Sequence, residues 1–291
     1  MKISNMPLNP FFKHATRLLA VLGLTLLMAS CTTRFFYNQL DWMLPWYIDD
    51  YVTVQSHQTP QLDQQIDQFL SWHRTHQLPP YARFLQTLAG LVKTGASEQQ
   101  IEPLLDDLDV MIDALYLGAG QHFVPLLRTL EPEQKKELIQ NLTQKNIDYA
   151  HDYINIGEAA AREKGAQKMI DIFSDWLGSL SEDQVQMIQR FAQTTRWMSP
   201  QLLHARQRWT QALSQSLSKA TTDASEQNLL RLFANRKLFW RPHLKSQYAE
   251  NKALLSALLS QLITSLTPQQ RRHLLDKLAE YRTDFMVLSQ Q

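Results

Sequence analysis

From residue 60 onward, apolar positions recur every three to four residues, and strand-like alternation is nowhere sustained. Leu62, Ile66, Phe69, Leu70 and His73 fall on one face of a helix expected from about Gln61 to His76. Pro79 and Pro80 end it and open a second, faced by Tyr81, Phe84, Leu85, Leu88, Leu91 and Val92 and closed by Lys93-Thr-Gly95. A third starts at Ser97 and runs through Ile101, Leu104, Leu105, Leu108, Ile112 and Leu115 to an expected break at Gly118-Ala-Gly120, with Pro125 limiting the short segment after it. One or two long helices follow between Pro132 and about Leu177, where Gly157 and Gly165 argue against a continuous run. Further helices are expected at about 182–197, 200–220, 224–240, 243–265 and 268–288. The pattern predicts an all-α protein, a single elongated multi-helix bundle of about nine helices.

The first 30 residues follow a different rule. Lys2, Lys13 and Arg17 precede an apolar run from Leu18 to Met28, with no acid, and the small residues Ala29 and Ser30 lead to Cys31. That is the layout of a secretory signal, and the run falls well short of the roughly 20 residues a helix needs to cross a bilayer. Cys31 is the only cysteine, so no intramolecular disulfide is possible. Met28-Ala29-Ser30-Cys31 resembles the lipobox of bacterial lipoproteins. The resemblance implies that Cys31 is the lipidation site and mature N-terminus, carrying three acyl chains, palmitate-like in kind. Thr32 stands where inner-membrane retention signals usually have Asp, which implies an outer-membrane lipoprotein on the periplasmic face. The expected organisation is a signal peptide at 1–30, a lipid anchor and aromatic membrane-proximal segment at 31–60, and a helical domain at 61–291.

Composition narrows the partners. The whole chain carries a net charge of +1, and loss of the three basic residues in 1–30 leaves the body slightly acidic. A nearly neutral body argues against nucleic acid.

Tyr37, Trp42, Trp46, Tyr47 and Tyr51 crowd one stretch interrupted by Pro45. Beside a lipid anchor such aromatics suit the headgroup level of a membrane. Asp41, Asp49 and Asp50 oppose an anionic surface and favour packing of the aromatics on the body. The string from Tyr37 to Tyr51, YNQLDWMLPWYIDDY, with Phe69-Leu-Ser-Trp-His-Arg and Leu78-Pro-Pro-Tyr after it, resembles a family of proteobacterial lipoproteins known only as a domain of unknown function. The resemblance covers roughly residues 31 to 85 and implies class and address, with no chemistry attached.

Leu130-Glu-Pro-Glu-Gln134, Leu180-Ser-Glu-Asp-Gln184 and Leu266-Thr-Pro-Gln-Gln270 repeat one another, and Ala96-Ser-Glu-Gln-Gln100 is a weaker copy. They are similar to the LTxxQ motif of Spy-like periplasmic chaperones, which implies client holding on an apolar concavity. A capping box explains them as well: Ser or Thr caps the helix, Pro suits its first position, and Gln reaches back.

Candidate chemistry is sparse. His73 and His76 share a helix face but lack a third ligand, so no metal or other cofactor is expected. Neither a GxSxG elbow, an HExxH pair nor a Gly-rich phosphate loop occurs, and no catalytic residue is assigned. Two basic and aromatic stretches stand out. One runs through Arg231, Arg236, Lys237, Phe239, Trp240, Arg241, His243 and Lys245 and supplies the candidate binding face Arg231, Arg236, Lys237, Trp240, Arg241 and Lys245; the other contains Arg190, Arg196, Trp197, Arg206, Arg208 and Trp209. Either suits an anionic envelope ligand, or pairs with Glu158, Glu163, Asp171 and Asp175 of a neighbouring helix. The expectation is a non-enzymatic binding or scaffold factor in cell-envelope maintenance, held to the membrane by its lipid, with an envelope protein or anionic envelope ligand as partner. A client-holding chaperone and a cell-wall-acting enzyme, which needs paired acids in a cleft, are the alternatives.

Overall fold

A computed structural model of the chain describes residues 32–219 and 223–291. The signal peptide and the lipidation site Cys31 lie outside the described residues. The chain divides into one unit ending at Leu40 and a second from Asp41 to Gln291. Of the first, the described part is essentially helix α1 (Thr32–Tyr37), where Phe35 and Phe36 meet edge to face.

The described residues of the second unit are mostly helical, joined by turns and short irregular segments, with no strand among them. The all-α expectation holds. It begins in α2 (Leu40–Asp49), then α3 (Thr59–Trp72), a π-helical turn (His73–Gln77), α4 (Leu78–Thr94), α5 (Glu98–Thr129) and α6 (Pro132–Tyr153). There follow α7 (Glu158–Leu177), α8 (Glu182–Thr194), α9 (Ser199–Leu217), α10 (Asp223–Ala234), α11 (Pro242–Ser265) and α12 (Pro268–Leu288).

Three boundaries differ from the sequence pattern. Pro79 and Pro80 sit in the first turn of α4, where a missing N–H costs nothing, so the chain passes from α3 to α4 through the π turn without a loop. Gly118-Ala-Gly120 does not break the third helix: α5 runs on through Pro125 to Thr129. These glycines serve packing. A Cβ on Gly118 would lie 2.1 Å from the Trp72 ring, and one on Gly120 would lie 2.4 Å from Phe233. The third difference is that α10 stops at Ala234, six residues before the expected end at Trp240. Pro242 holds Arg241 extended at φ −67°, ψ 158°, and the intervening Asn235–Trp240 segment forms turns.

At roughly 48 Å from end to end, α5 reaches two cores. Its Ile101 and Leu105 pack with Leu85 and Val92 of α4, Leu177, Ile263, and Leu274 and Leu278 of α12. Its Val124 packs with Val52, Leu138 of α6, Leu213 and Leu217 of α9, and Leu229 and Leu232 of α10. Ile188 of α8 with Leu258 and Leu262 of α11 forms a third cluster. By length and composition α5 could cross a membrane; here it lies between other helices, and Asp106, Asp109 and Asp113 on it pair with Lys252, Arg236 and Lys237.

The repeated motifs all start helices with capping boxes, at Ser97, Glu131, Ser181 and Thr267. Three of their glutamines do more. Gln184 and Gln270 face one another in a reciprocal amide pair: Gln184 Nε2 donates to Gln270 Oε1 at 3.2 Å, and Gln270 Nε2 donates to Gln184 Oε1 at 2.8 Å. Each also accepts from its own N-cap backbone N–H, and the remaining amide hydrogens go to Ser265 Oγ and the Ser179 carbonyl. Gln134 makes the same pair with Gln58, at 2.7 and 3.0 Å, and also donates to the Thr53 carbonyl. These four amides are buried with donors and acceptors all used, joining the start of α3 to α6 and the start of α8 to α12.

Candidate functional site

The non-helical Asn235–Trp240 segment redistributes the candidate binding face. Its six residues separate into three places. Arg241 and Lys245 are exposed at the start of α11. Arg231, exposed on α10, faces a groove shared with Arg208 of α9. Arg236, Lys237 and Trp240 turn back onto α5.

There Asp109 acts as a hub. Arg236 Nη2 is ion-paired with its Oδ1, Lys237 Nζ lies 3.1 Å from Oδ2, and Tyr248 OH donates to Oδ1 at 2.5 Å. Arg236 Nε reaches Asp113 Oδ1 at 2.5 Å. The acids that meet this basic stretch therefore lie on α5, and the expected partners on α7 are not used: Glu158 pairs within its own helix with Arg162, and Asp175 with Lys277. Burial pushes the Asp109 carboxyl up, but hydrogen bonds from Tyr248, Lys237 and Arg236 outweigh it and hold the pKa below the usual carboxylate value. Lys237 also lies 4.5 Å from the Tyr248 ring centre, and Trp240 meets that ring edge-on at 5.2 Å. The hub fixes Arg236 and Trp240 in place.

Both then border a cleft of about 390 Å³ between α2, α5, α6, α9 and the turn segment. Its walls carry Tyr47, Tyr51, Tyr116, Trp209, Phe239 and Trp240, with Arg206 and Arg236 as the only charged residues. Each ring has a local reason for its pose. Trp209 Nε1 donates to the Leu232 carbonyl at 3.1 Å and meets Phe233 edge to face. Arg206 is steadied by Asn146 Oδ1 at 2.9 Å and by the Tyr149 ring at 5.1 Å, and Asn146 in turn donates to Thr210 Oγ1. Asn141 Nδ2 holds the Tyr51 carbonyl at 2.9 Å. A hydrogen bond with Tyr47 at 3.3 Å, followed by burial, raises the Tyr51 phenol to about 12. Two fixed guanidiniums among six rings suit a ligand with an anionic group and an apolar or planar surface. No carboxylate, imidazole or thiol lines this cleft.

Of the aromatic segment, Ile48 and Tyr51 pack against the second core. Trp42 and Trp46 are largely exposed, at 58% and 67%, and contact one another at 4.7 Å; Trp46 borders a shallow depression beside Leu62 of α3, and α2 buries no residue. The helix thus divides its rings, with Tyr47 in the cleft wall and the two indoles facing outward.

The histidine pair went elsewhere. His73 is enclosed by Phe69, Trp72 and Tyr81, and burial, with Arg74 adding to it, lowers its pKa to about 4. His76 stacks on Trp72 and bonds Thr75, while His122 bonds the Gly118 carbonyl at 2.7 Å. Among the described residues no group of three His, Cys, Asp or Glu side chains is placed to hold a metal ion.

Sequence reasoning named Tyr47, Tyr51, Arg206, Trp209, Arg236, Phe239 and Trp240 but missed Asp109, Asp113 and Tyr116. The aspartates left a signal: Glu102, Asp106, Asp109 and Asp113 recur at helical spacing, which places them in a row on one side of the helix.

The fold and cleft define an all-α protein with an aromatic, arginine-bearing cleft. Residues 50–245 match the model of DUF6279, a family of unknown function, and the chain belongs to that family. The match includes every cleft residue except Tyr47. No curated protein and no solved structure matches the chain.

Proposed function

We propose that this protein is an outer-membrane lipoprotein, anchored through Cys31 on the periplasmic face, that acts without catalysis as a binding factor in cell-envelope maintenance. Its ligand is an amphiphilic anionic component of the envelope. The observation that carries this reading is the division of labour on α2, which sends Tyr47 into the wall of the arginine-bearing cleft and leaves Trp42 and Trp46 facing outward. Exposed indoles close to a lipid anchor suit the bilayer interface, where Trp and Tyr are enriched. The anchor and the indoles hold the cleft near the membrane; Arg206, which pairs with no carboxylate among the described residues, receives the ligand's charge, and Arg236, already held by Asp109 and Asp113, adds a hydrogen-bond donor beside it.

The test places a photo-reactive phenylalanine analogue at Tyr116, on the exposed rim of the cleft, in the full-length lipidated protein in cells. One class of anionic envelope component should be captured, and capture should fall at least tenfold in a Cys31→Ser form retained in the cell. A broad set of unrelated periplasmic proteins, captured equally by both forms, would replace this reading with client holding.

A further inference from the structure

A second concavity, of about 460 Å³, runs between α6 and α9. Asn146 and Thr210, joined by a hydrogen bond of 3.2 Å, border both this groove and the aromatic cleft. The two helices run antiparallel: Asn146 meets Thr210, while Leu138, earlier on α6, packs with Leu213 and Leu217, later on α9. Among the described residues that line the groove none is charged and none is aromatic. On one wall α9 presents Gln207, Gln211 and Gln215, all exposed, whose side chains make no hydrogen bond to any described residue. From Trp209 to Ser218 that helix carries no charged residue at all. On the other wall α6 presents Ile139 and Ile147, and Ile147 is 55% exposed.

A charged ligand finds no counter-charge here, and a glycan ring finds no aromatic face to stack on. What the groove offers is a row of amides beside an aliphatic strip. A primary amide carries a donor and an acceptor side by side, the complement of the N–H and C=O of a peptide chain. Within this chain the same chemistry is already in use, since Gln184 with Gln270 and Gln134 with Gln58 make reciprocal amide pairs at 2.7–3.2 Å. The spacing fits as well. Glutamines four residues apart on a helix stand about 6 Å apart along its axis, and an extended chain repeats every second residue, in about 6.4–6.8 Å. One extended segment lying along α9 therefore brings alternate peptide units to successive glutamines, over the roughly 12 Å from Gln207 to Gln215. Its aliphatic side chains meet Ile139 and Ile147. We infer that the groove between α6 and α9 docks an extended, uncharged peptide segment of a partner protein, bonded through its main chain by Gln207, Gln211 and Gln215. The site does not depend on the function proposed for the aromatic cleft.

The test titrates full-length protein, by calorimetry, with a heptapeptide of alternating Ser and Val blocked at both ends so that it carries no charge. Saturable one-to-one binding is expected. The same peptide methylated on its backbone nitrogens lacks the N–H donors and should bind at least tenfold more weakly. Gln207→Met and Gln211→Met keep the reach of the side chain and remove its amide; each should weaken binding about tenfold, a loss of about 1.4 kcal/mol. Gln144→Met, on α6 outside the groove, should leave it unchanged. All three positions are exposed, and an unchanged melting curve checks that the variants fold. Absence of binding, equal binding of the methylated peptide, or equal loss in Gln144→Met and Gln211→Met would overturn the assignment. Binding of an N-acetylglucosamine tetrasaccharide in place of the peptide would replace it with a glycan site. Trp240→Ala alters the cleft and should not affect the titration, so failure of this groove and failure of the cleft reading are distinguishable.

Discussion

At the scale of single residues, the glutamines of the repeated motif show how one signal serves two ends. Gln100 and Gln184 each accept a hydrogen bond from the backbone of the helix cap three residues before, but Gln100 is exposed and Gln184 is 1% exposed with a partner amide across the helix interface. Gln184→Leu strands the Gln270 amide and the Ser181 N–H, and should cost about 1–3 kcal/mol in urea denaturation. Gln100→Leu, whose orphaned N–H meets water, should cost well under about 1 kcal/mol; equal losses would mean that the amide pair adds nothing beyond the cap. The capping role was legible in the sequence because its signature is local. The pairing of Gln184 with Gln270, 86 residues apart, was not, because the mate is chosen by tertiary packing. His73 offers a second test at this scale. Its folded pKa of about 4 lies below the ordinary 6.5, so the unfolded chain binds the proton first as pH falls. The stability due to neutral His73 is complete above pH 6.5 and is lost progressively down to pH 4, by up to about 3 kcal/mol. His73→Phe should flatten stability across that window. An unchanged slope would place the acid sensitivity in other groups; Asp109, whose pKa is lowered, acts only below it.

At the scale of elements, glycine had opposite meanings at positions that look alike in sequence. Gly118 and Gly165 both sit inside helices. The first faces the Trp72 ring and the second has nothing within 4 Å of a would-be Cβ. Gly165→Ala should therefore stabilise by about 0.5–1 kcal/mol through helix propensity alone. Gly118→Ala gains the same propensity but drives a methyl into the indole, with a net loss of about 1–3 kcal/mol. A higher Tm for the first and a lower Tm for the second is the expected pair of results; two increases would show that Trp72 yields easily. Periodicity identified the apolar faces of α3, α4 and α5 because those faces follow from the helix repeat. It misplaced the end of the third helix because a helix-breaking glycine and a close-packing glycine are the same letter. The same limit hid the site: proximity in sequence gathered Arg231 to Lys245 into one stretch, whereas the turns after Ala234 carry Arg236 and Lys237 back to Asp109 and Asp113 on α5 and away from the others.

At the scale of the whole body, α5 decides whether the two main cores behave as one. It supplies Ile101 and Leu105 to the first and Val124 to the second, and Arg236 and Lys237 tie the turn segment beside the second core to Asp109 midway along it. A rigid helix shared in this way cannot lose one core without exposing apolar surface that the other also covers, so the unit from Asp41 to Gln291 should unfold in a single transition despite its size. Two tryptophans report separately: Trp176 packs at the first core and Trp209 at the second. The emission lost in Trp176→Phe and the emission lost in Trp209→Phe, each taken as a difference from the parent with its other five tryptophans unchanged, isolate the two reporters, and the two difference curves should share one denaturation midpoint. Asp109→Asn, which weakens the tie without altering either core, should reduce that midpoint for both reporters together. If Trp209 reports an earlier transition and Trp176 an unchanged one, α5 is no mechanical link, and the half of the molecule that carries both the aromatic cleft and the groove between α6 and α9 opens by itself. That half would then be free to rearrange around a ligand, and binding should raise the Trp209 midpoint alone.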